Sequence, residues 1–350
     1  MGEGWYIGSL SGADGVVCAE HRFKRTENVI MNESTTSFPQ RLLERIATVG
    51  APICAGVDPV FDRLPASLKS GVDARNPQAV ADAFEAFSLG VLDAVADHVA
   101  CVKFQSGCYE RYFSPGLACL HRMMDAARER GLMVVLDAKR GDIGSTADHY
   151  AAGCLSDPPP PVDANVASSA DDVPPRFGPD ALTINSYLGA DSIDPFLKVA
   201  AAQGKGLFAL VRTSNPGGDA LQLQRLTDGR TVGQFVADLV AEVGATQVSS
   251  SPGANGYSPL GAVVGATKPD EIADLRQRMP QQIFLVPGYG AQGGAADDVK
   301  ATFKPDGTGA LITASRSINY AFAGSDHADW QSAITAAAKT MGDDIRGILR

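Results

Sequence analysis

VVLDAKRGDIGSTA, residues 134–147, sets an apolar run directly against two aspartates, a lysine and an arginine. The run LMVVLD, 132–137, reads as a buried strand. Residues two apart in a strand point the same way, so Asp137 and Lys139 project together from its end. Charge concentrated at one edge is costly unless it is paired or used.

Seven more short apolar runs share this character: ICAGVD at 53–58, VACVKF at 99–104, ALTIN at 181–185 and GLFALVR at 206–212, then GAVVGA at 261–266, QIFLVP at 282–287 and GALITA at 309–314. Helix-like stretches lie between them. Pro77 to Val99 carries Val80, Phe84, Phe87 and Val91 near helical spacing, and Gly116–Arg130, Asp191–Ala202, Thr231–Val243, Lys268–Arg278 and Asp326–Leu349 behave similarly. Another helix is expected from about Pro39. Eight strands alternating with helices predict an α/β fold, a closed (β/α)8 TIM barrel, because parallel strands need such crossovers. A doubly wound open sheet is the alternative; it fits less well, since no Gly-x-Gly-x-x-Gly follows the first strand.

The barrel is expected as one catalytic domain over residues 38–350, preceded by an irregular extension at 1–37. Met31 opens MNESTTSFPQRLLERI, which reads as a natural start, so the first thirty residues are read as an upstream start choice. The stretch 156–180, rich in Pro, Asp, Ser and Ala, is expected to be a flexible surface insertion after strand three, a solvated loop rather than a lid.

The chain of 350 residues is 45% hydrophobic and 20% charged, with a net charge of −10 and no long basic run. A nucleic-acid surface is not expected from that balance. No apolar stretch approaches the ~20 residues that span a bilayer, and the N-terminus lacks the layout of a secretion signal. Six cysteines form no CxxC pair and no Cys/His cluster, so neither a disulfide framework nor a structural metal is expected. A reducing cytoplasm is the expected location.

In a (β/α)8 barrel the active site lies at the C-terminal ends of the strands. Strand one ends in Asp58, strand two carries Lys103 near its end, and strand three ends in Asp137-x-Lys139 with Asp142 following. Strand five runs into TSNPG with Ser214, strand seven into PGYGAQGG from Pro287, and strand eight into Ser315 and Arg316. Glycines in PGYGAQGG leave backbone N–H groups open to an anion, and Arg316 offers a fork of donors. The loops after strands seven and eight are the usual phosphate site of such barrels, so a phosphorylated small molecule is the expected ligand. Its reactive part would then lie over strands one to three. There Asp58, Lys103, Asp137, Lys139 and Asp142 can alternate in sign and stay ionised through pairing. A lysine so placed is a proton donor.

LDAKRGDIGSTA, together with GVDP, VKFQ, SNPG, PGYGAQGG and SRSI, resembles the orotidine 5'-phosphate decarboxylase family, in its longer bacterial branch, from about Phe38 to Ile318 and beyond. The resemblance implies loss of CO2 from orotidine 5'-monophosphate to give uridine 5'-monophosphate, in de novo pyrimidine biosynthesis, without metal or organic cofactor. It places Asp137 against the departing carboxylate and makes Lys139 the donor of a proton to C6, with Lys103 and Asp142 completing the array. It assigns ribose hydroxyls to Asp58 and Thr146, the pyrimidine edge to Ser214, and the phosphate to Gln292, Arg316 and the backbone of Ser315, with Pro287 also at the substrate. It further implies a homodimer in which Asp142, Ile143 and Thr146 reach into the neighbouring subunit's site. The Pro-rich insertion is unusual for the family, and the extension before Phe38 has no counterpart in its pattern.

Two rival readings belong to other classes. A Mg-dependent phosphosugar decarboxylase or aldolase on a related barrel would need a further carboxylate as metal ligand, and VKFQ offers Lys103 at the end of strand two instead. A non-catalytic nucleotide-binding protein would keep the pocket and lose the reaction, yet every charged residue of the array is present.

Overall fold

The structure, a computed structural model, describes residues 36–156, 178–248, 256–266, 269–289, 299–323 and 329–350. The eight apolar runs form eight strands: β1 (Ile53–Val57), β2 (Cys101–Gln105), β3 (Met133–Arg140), β4 (Ala181–Ile184), β5 (Gly206–Arg212), β6 (Leu260–Val264), β7 (Phe284–Pro287) and β8 (Ala310–Ala314). Each pairs in parallel with the next, and β8 pairs with β1, closing an eight-stranded barrel. Helices expected between the runs are present, among them Pro77–Val95, Phe113–Glu129, Ala190–Ala202, Val232–Val248, Pro269–Arg278 and Trp330–Leu349.

Alternation along the strands sorts the core into two layers. Ile53, Ala55 and Val57 of β1 pack outward with the helices, as do Val102 and Phe104 of β2 and Val134 and Leu136 of β3. Cys54, Cys101, Met133, Val135, Ala181, Phe208, Val263, Leu285 and Leu311 form the inner layer. Both faces are buried, so the strands read as continuous apolar runs rather than as alternating ones. Inward positions turn polar only near the C-terminal ends, where Lys103, Asp137, Thr183 and Thr313 follow on their strands. That is where an apolar strand can finish in charge: the outer face stays in the core while the inner face meets an open cavity.

The other mouth is plugged. Helix Phe38–Val49 sends Phe38 and Leu42 into the inner layer, with the Phe38 ring 5.8 Å from that of Phe208 in an edge-on contact. Gly206 makes room for it: a Cβ there would stand 2.2 Å from the Phe38 ring. Arg41 of the same helix pairs at 2.5 Å with buried Asp180, whose other oxygen accepts from the Val134 N–H at the base of β3.

Two sequence expectations are corrected. β3 does not end at Asp137 but continues to Arg140, with a register shift against β4 between Leu136 and Arg140. A further helix, Gly144–Leu155, follows it. Its sequence GSTADHYAAGCL is only weakly amphipathic, so hydrophobic spacing gave no sign of it.

Residues 1–35 and 157–177 lie outside the described residues, and with them most of the expected extension and insertion. The insertion's flanks are described. Lys205 donates to the Leu155 carbonyl and Arg128 to that of Gly178, while the Asp180 N–H donates to Val134 O at 2.8 Å. Both flanks therefore stand at the N-terminal ends of the strands, opposite the charged mouth. Cys54, Cys101, Cys108, Cys119 and Cys154 are free thiols. Among the described residues no helix is long and apolar enough to cross a membrane.

Candidate active site

Strand register brings the charges of β1, β2 and β3 together. Lys103 on β2 lies beside Gly56 on β1 and Val135 on β3, and its side chain rises between the carboxylates that flank it. Its ammonium stands 3.2 Å from Asp137 Oδ2 and 3.8 Å from Asp58 Oδ1. Lys139 Nζ donates to Asp137 Oδ1 at 2.7 Å. The result is a row of alternating sign: Asp58, Lys103, Asp137, Lys139.

Local structure holds that row in place. The N–H of Gln105 donates to Asp58 Oδ1 at 3.1 Å. The Tyr320 hydroxyl donates to the Asp58 carbonyl and accepts from the Val60 N–H, each at 2.9 Å. Lys139 takes φ +48° within the irregular end of β3. A non-glycine residue in that left-handed region is strained by roughly 1–3 kcal/mol unless its surroundings hold it. Thr183 on β4 does so: its hydroxyl accepts from the Lys139 N–H at 3.0 Å and donates to Asp137 Oδ1 at 2.8 Å. One buried threonine thus fixes both the strained backbone and the carboxylate.

Charge states follow from these contacts. Burial alone would raise the Asp137 carboxyl, but the Lys103 and Lys139 ammoniums and the hydrogen bonds from Lys139 and Thr183 outweigh it and hold the pKa below its ordinary value. Burial would lower Lys103, and the carboxylates of Asp58 and Asp137 overcome it, keeping the ammonium protonated well above its usual range. Because the folded-state pKa of Asp137 is depressed, its pairing stabilises the fold fully above the ordinary carboxylate value of 3.8 and is lost as pH falls through the lower folded value. Asp137→Asn is expected to cost about 3 kcal/mol near neutral pH, because it leaves a buried ammonium underpaired. In thermal unfolding the gap between variant and wild type should narrow below pH 4; a gap independent of pH would contradict the pairing.

A cavity of about 240 Å³ opens beside the row. Lys103, Asp137, Lys139 and Thr183 line one side and Thr213, Ser214, Asn215 and Pro287 the other, over an apolar floor of Leu210, Val263 and Leu285. Thr313 also lines it, with a buried hydroxyl that takes no partner among the described residues. Ser315 and Arg316 follow directly on β8. The Ser315 side chain lies over Gly56, where a Cβ would stand 1.9 Å from its hydroxyl oxygen. Arg316 is exposed at the start of a short helix, with no ion pair among the described residues.

Of the residues expected from the sequence, Asp58, Lys103, Asp137 and Lys139 converge on one array, and Ser214 and Pro287 line its cavity. Asp142 does not join the array within its own chain. β3 ends two residues earlier, and the Asp142 carboxylate turns back to accept from the Ile143 N–H at 2.8 Å. Ile143 is 54% exposed and Thr146 is exposed. Gln292 lies outside the described residues, as does the glycine-rich segment from Gly290. Thr183, Thr213, Asn215 and Tyr320 were not anticipated. For Thr183 a signal existed, a hydroxyl in the otherwise apolar run ALTI, and Thr213 and Asn215 flank Ser214 in the TSNPG stretch; for Tyr320 the sequence carried none.

Among the described residues no group of three or more His, Cys, Asp or Glu side chains is gathered to hold a metal ion. Between Asp58 and Asp137, where two carboxylates could share a cation, the Lys103 ammonium already stands.

Comparison with known proteins identifies the family of the barrel. Residues 82–323 match the Orotidine 5'-phosphate decarboxylase / HUMPS family. The orotidine 5'-phosphate decarboxylase of Rhodopirellula baltica is 40% identical over 317 residues, which cover 89% of this chain and 99% of that protein. The chain belongs to this family. A second relative, the orotidine 5'-phosphate decarboxylase of Deinococcus radiodurans, is 36% identical over 90% of this chain and 99% of its own length. The solved structure of Leishmania donovani OMP decarboxylase superposes with a TM-score of 0.65 at 29% identity, covering 90% of this chain and 99% of that one. The charged row therefore sits on a family barrel matched almost end to end.

Proposed function

We infer that the chain is a carboxy-lyase that converts orotidine 5'-monophosphate to uridine 5'-monophosphate and CO2 in pyrimidine biosynthesis, with the Asp58–Lys103–Asp137–Lys139 row as its reaction centre. The observation that carries this reading is Lys139: a lysine held by a strained backbone on a cavity of about 240 Å³, paired to a carboxylate that stays ionised.

Decarboxylation breaks the C6–carboxylate bond and leaves its electron pair on C6, with no adjacent group to delocalise it. A preorganised ammonium offsets that charge as it develops, in a site whose dipoles need no rearrangement. The Lys139 Nζ then gives its proton to C6 and is reprotonated from water. Asp137, held ionised, faces the substrate carboxylate, and the repulsion between them is relieved as CO2 leaves. Lys103 keeps Asp137 charged and stands 3.8 Å from Asp58 Oδ1, and Asp58 accepts from the ribose hydroxyls.

The phosphate end belongs to Arg316, the Ser315 backbone and Gln292, and the pyrimidine edge to Ser214. Binding energy from the phosphate is then available at the reacting end. Arg316→Ala should weaken uridine 5'-monophosphate roughly 10–100-fold, the loss of a charge-assisted contact of about 1.5–3 kcal/mol. Calorimetric titration checks it, and unchanged affinity would contradict the assignment.

The working unit in this reading is a homodimer in which Asp142, Ile143 and Thr146 of each chain complete the other's site. Its support is an exposed isoleucine beside an aspartate with no ion pair among the described residues of its own chain. The site acts on a free nucleotide rather than on nucleic acid, and the cytoplasm is the proposed location. The direct test is product analysis: one uridine 5'-monophosphate and one CO2 per substrate, with a single deuterium at C6 when the reaction runs in D2O. Substrate that survives incubation would overturn the reading.

A further inference from the structure

We propose that Arg212 and Gln222 are positioning residues for the pyrimidine, clamping the segment that presents Ser214 to the cavity. This rests on the reading of Ser214 as the pyrimidine contact and adds what sets its geometry.

Ser214 is in a loop, where a hydroxyl is ordinarily free to wander. Here the residue before it is held at every polar atom. The Thr213 N–H donates to Gln222 Oε1 at 3.0 Å, the Thr213 carbonyl accepts from Arg212 Nη1 at 3.1 Å, and the Thr213 hydroxyl accepts from Gln222 Nε2 at 2.8 Å. That hydroxyl in turn donates to Asn215 Oδ1 at 2.7 Å, so the residue after Ser214 is tied to the one before it.

Arg212 anchors the clamp to the body of the barrel. It is the last residue of β5 and only 3% exposed. Its guanidinium also donates to Gln222 Oε1 at 3.0 Å and Asp219 at 2.5 Å on helix Pro216–Gln222, and to Glu271 at 2.9 Å on helix Pro269–Arg278, spanning two helices with one planar fork. From the far side, β6 closes the space. A Cβ at Gly265 would stand 3.0 Å from the Ser214 backbone nitrogen and from its Cβ, and the Gly265 N–H donates to Arg212 O at 2.8 Å.

The Ser214 hydroxyl itself takes no partner among the described residues. Everything around it is fixed, and its own bonding capacity is left for a ligand. Displacement by even 1 Å of a group so placed costs on the order of 100-fold in reactions that depend on orientation.

The test compares two ligands of the wild type and its variants: uridine 5'-monophosphate, and ribose 5-phosphate, which lacks the base. Gln222 is on a half-exposed face beside a second cavity of about 430 Å³, so water can replace its side chain in Gln222→Ala. In that variant uridine 5'-monophosphate is expected to bind roughly tenfold more weakly, the value of one or two hydrogen bonds, with ribose 5-phosphate unchanged. Gln222→Glu keeps both acceptor bonds and should return most of the loss. Arg212→Lys, which cannot reproduce the fork, should resemble Gln222→Ala. Should Gln222→Ala fail to fold, Gln222→Met, equal in length and unable to make any of the three bonds, takes its place. Loss of both ligands in equal measure, or of neither, overturns the proposal. A wild-type chain that does not prefer the nucleotide removes the Ser214 reading, and the proposal falls with it.

Discussion

Lys139→Ala is expected to lower turnover of orotidine 5'-monophosphate by roughly 10⁴-fold or more, with uridine 5'-monophosphate still binding within about tenfold of wild type. One ammonium is asked to do two things, to stabilise the developing carbanion and to protonate it, and both are lost together. The variant should fold. Asp137 keeps Lys103 at 3.2 Å and Thr183 at 2.8 Å, so no carboxylate is left without a partner. Alanine also replaces a residue held at φ +48°, a region no more comfortable for it. Steady-state turnover and a binding titration separate the two effects. Intact turnover would remove Lys139 from the chemistry, and equal losses in turnover and binding would make it a binding residue only.

The second large effect concerns the assembly. Lys139→Ala and Asp142→Ala are each expected to be nearly inactive alone, yet activity should return when the two are co-expressed. In a mixed dimer, one site has its own Lys139 and its partner's Asp142, both intact, while the other site has neither. Random pairing gives about a quarter of all sites in working order if the dimer shares its sites across a two-fold axis. The structural ground is the contrast along seven residues of chain. Asp137 and Lys139 are bonded into the array, while Asp142, two residues past the end of β3, accepts among the described residues only from the next backbone N–H. Beside it Ile143 is 54% exposed, an apolar side chain that a partner surface would cover. Activity in the mixture no higher than in the separate variants would place Asp142 outside the neighbour's site.

How far the sequence could be read depended on the range of the interaction. Strand positions were legible because each strand is apolar on both faces and short, and all eight runs appear as strands. The charges of the array were legible for a related reason. In a barrel every strand ends at the same mouth, so Asp58, Lys103, Asp137 and Lys139, scattered over some eighty residues, had to converge once the fold was a barrel. Contacts made by ordinary polar residues were not. Gln222 is unremarkable by type and acts from the end of helix Pro216–Gln222 on the loop after β5, while Thr183, a lone hydroxyl in an apolar run, takes its role from a register shift in β3. Phe38 belongs to this class too. Its seat in the barrel floor is created by the missing side chain of Gly206, far along the chain. The end of β3 lies beyond the apolar run, which stops at Asp137, because pairing with β4 carries the strand through Lys139 to Arg140.

Among possible measurements, the ultraviolet absorbance of orotidine 5'-monophosphate on mixing with purified protein is the most direct, followed with and without a metal chelator. The Lys103 ammonium occupies the space between Asp58 and Asp137, so the charged side chains alone should carry the reaction. The orotate absorbance is expected to fall at the same rate in both cuvettes. A fall that the chelator abolishes, or no fall at all, would contradict decarboxylation by the Asp–Lys array.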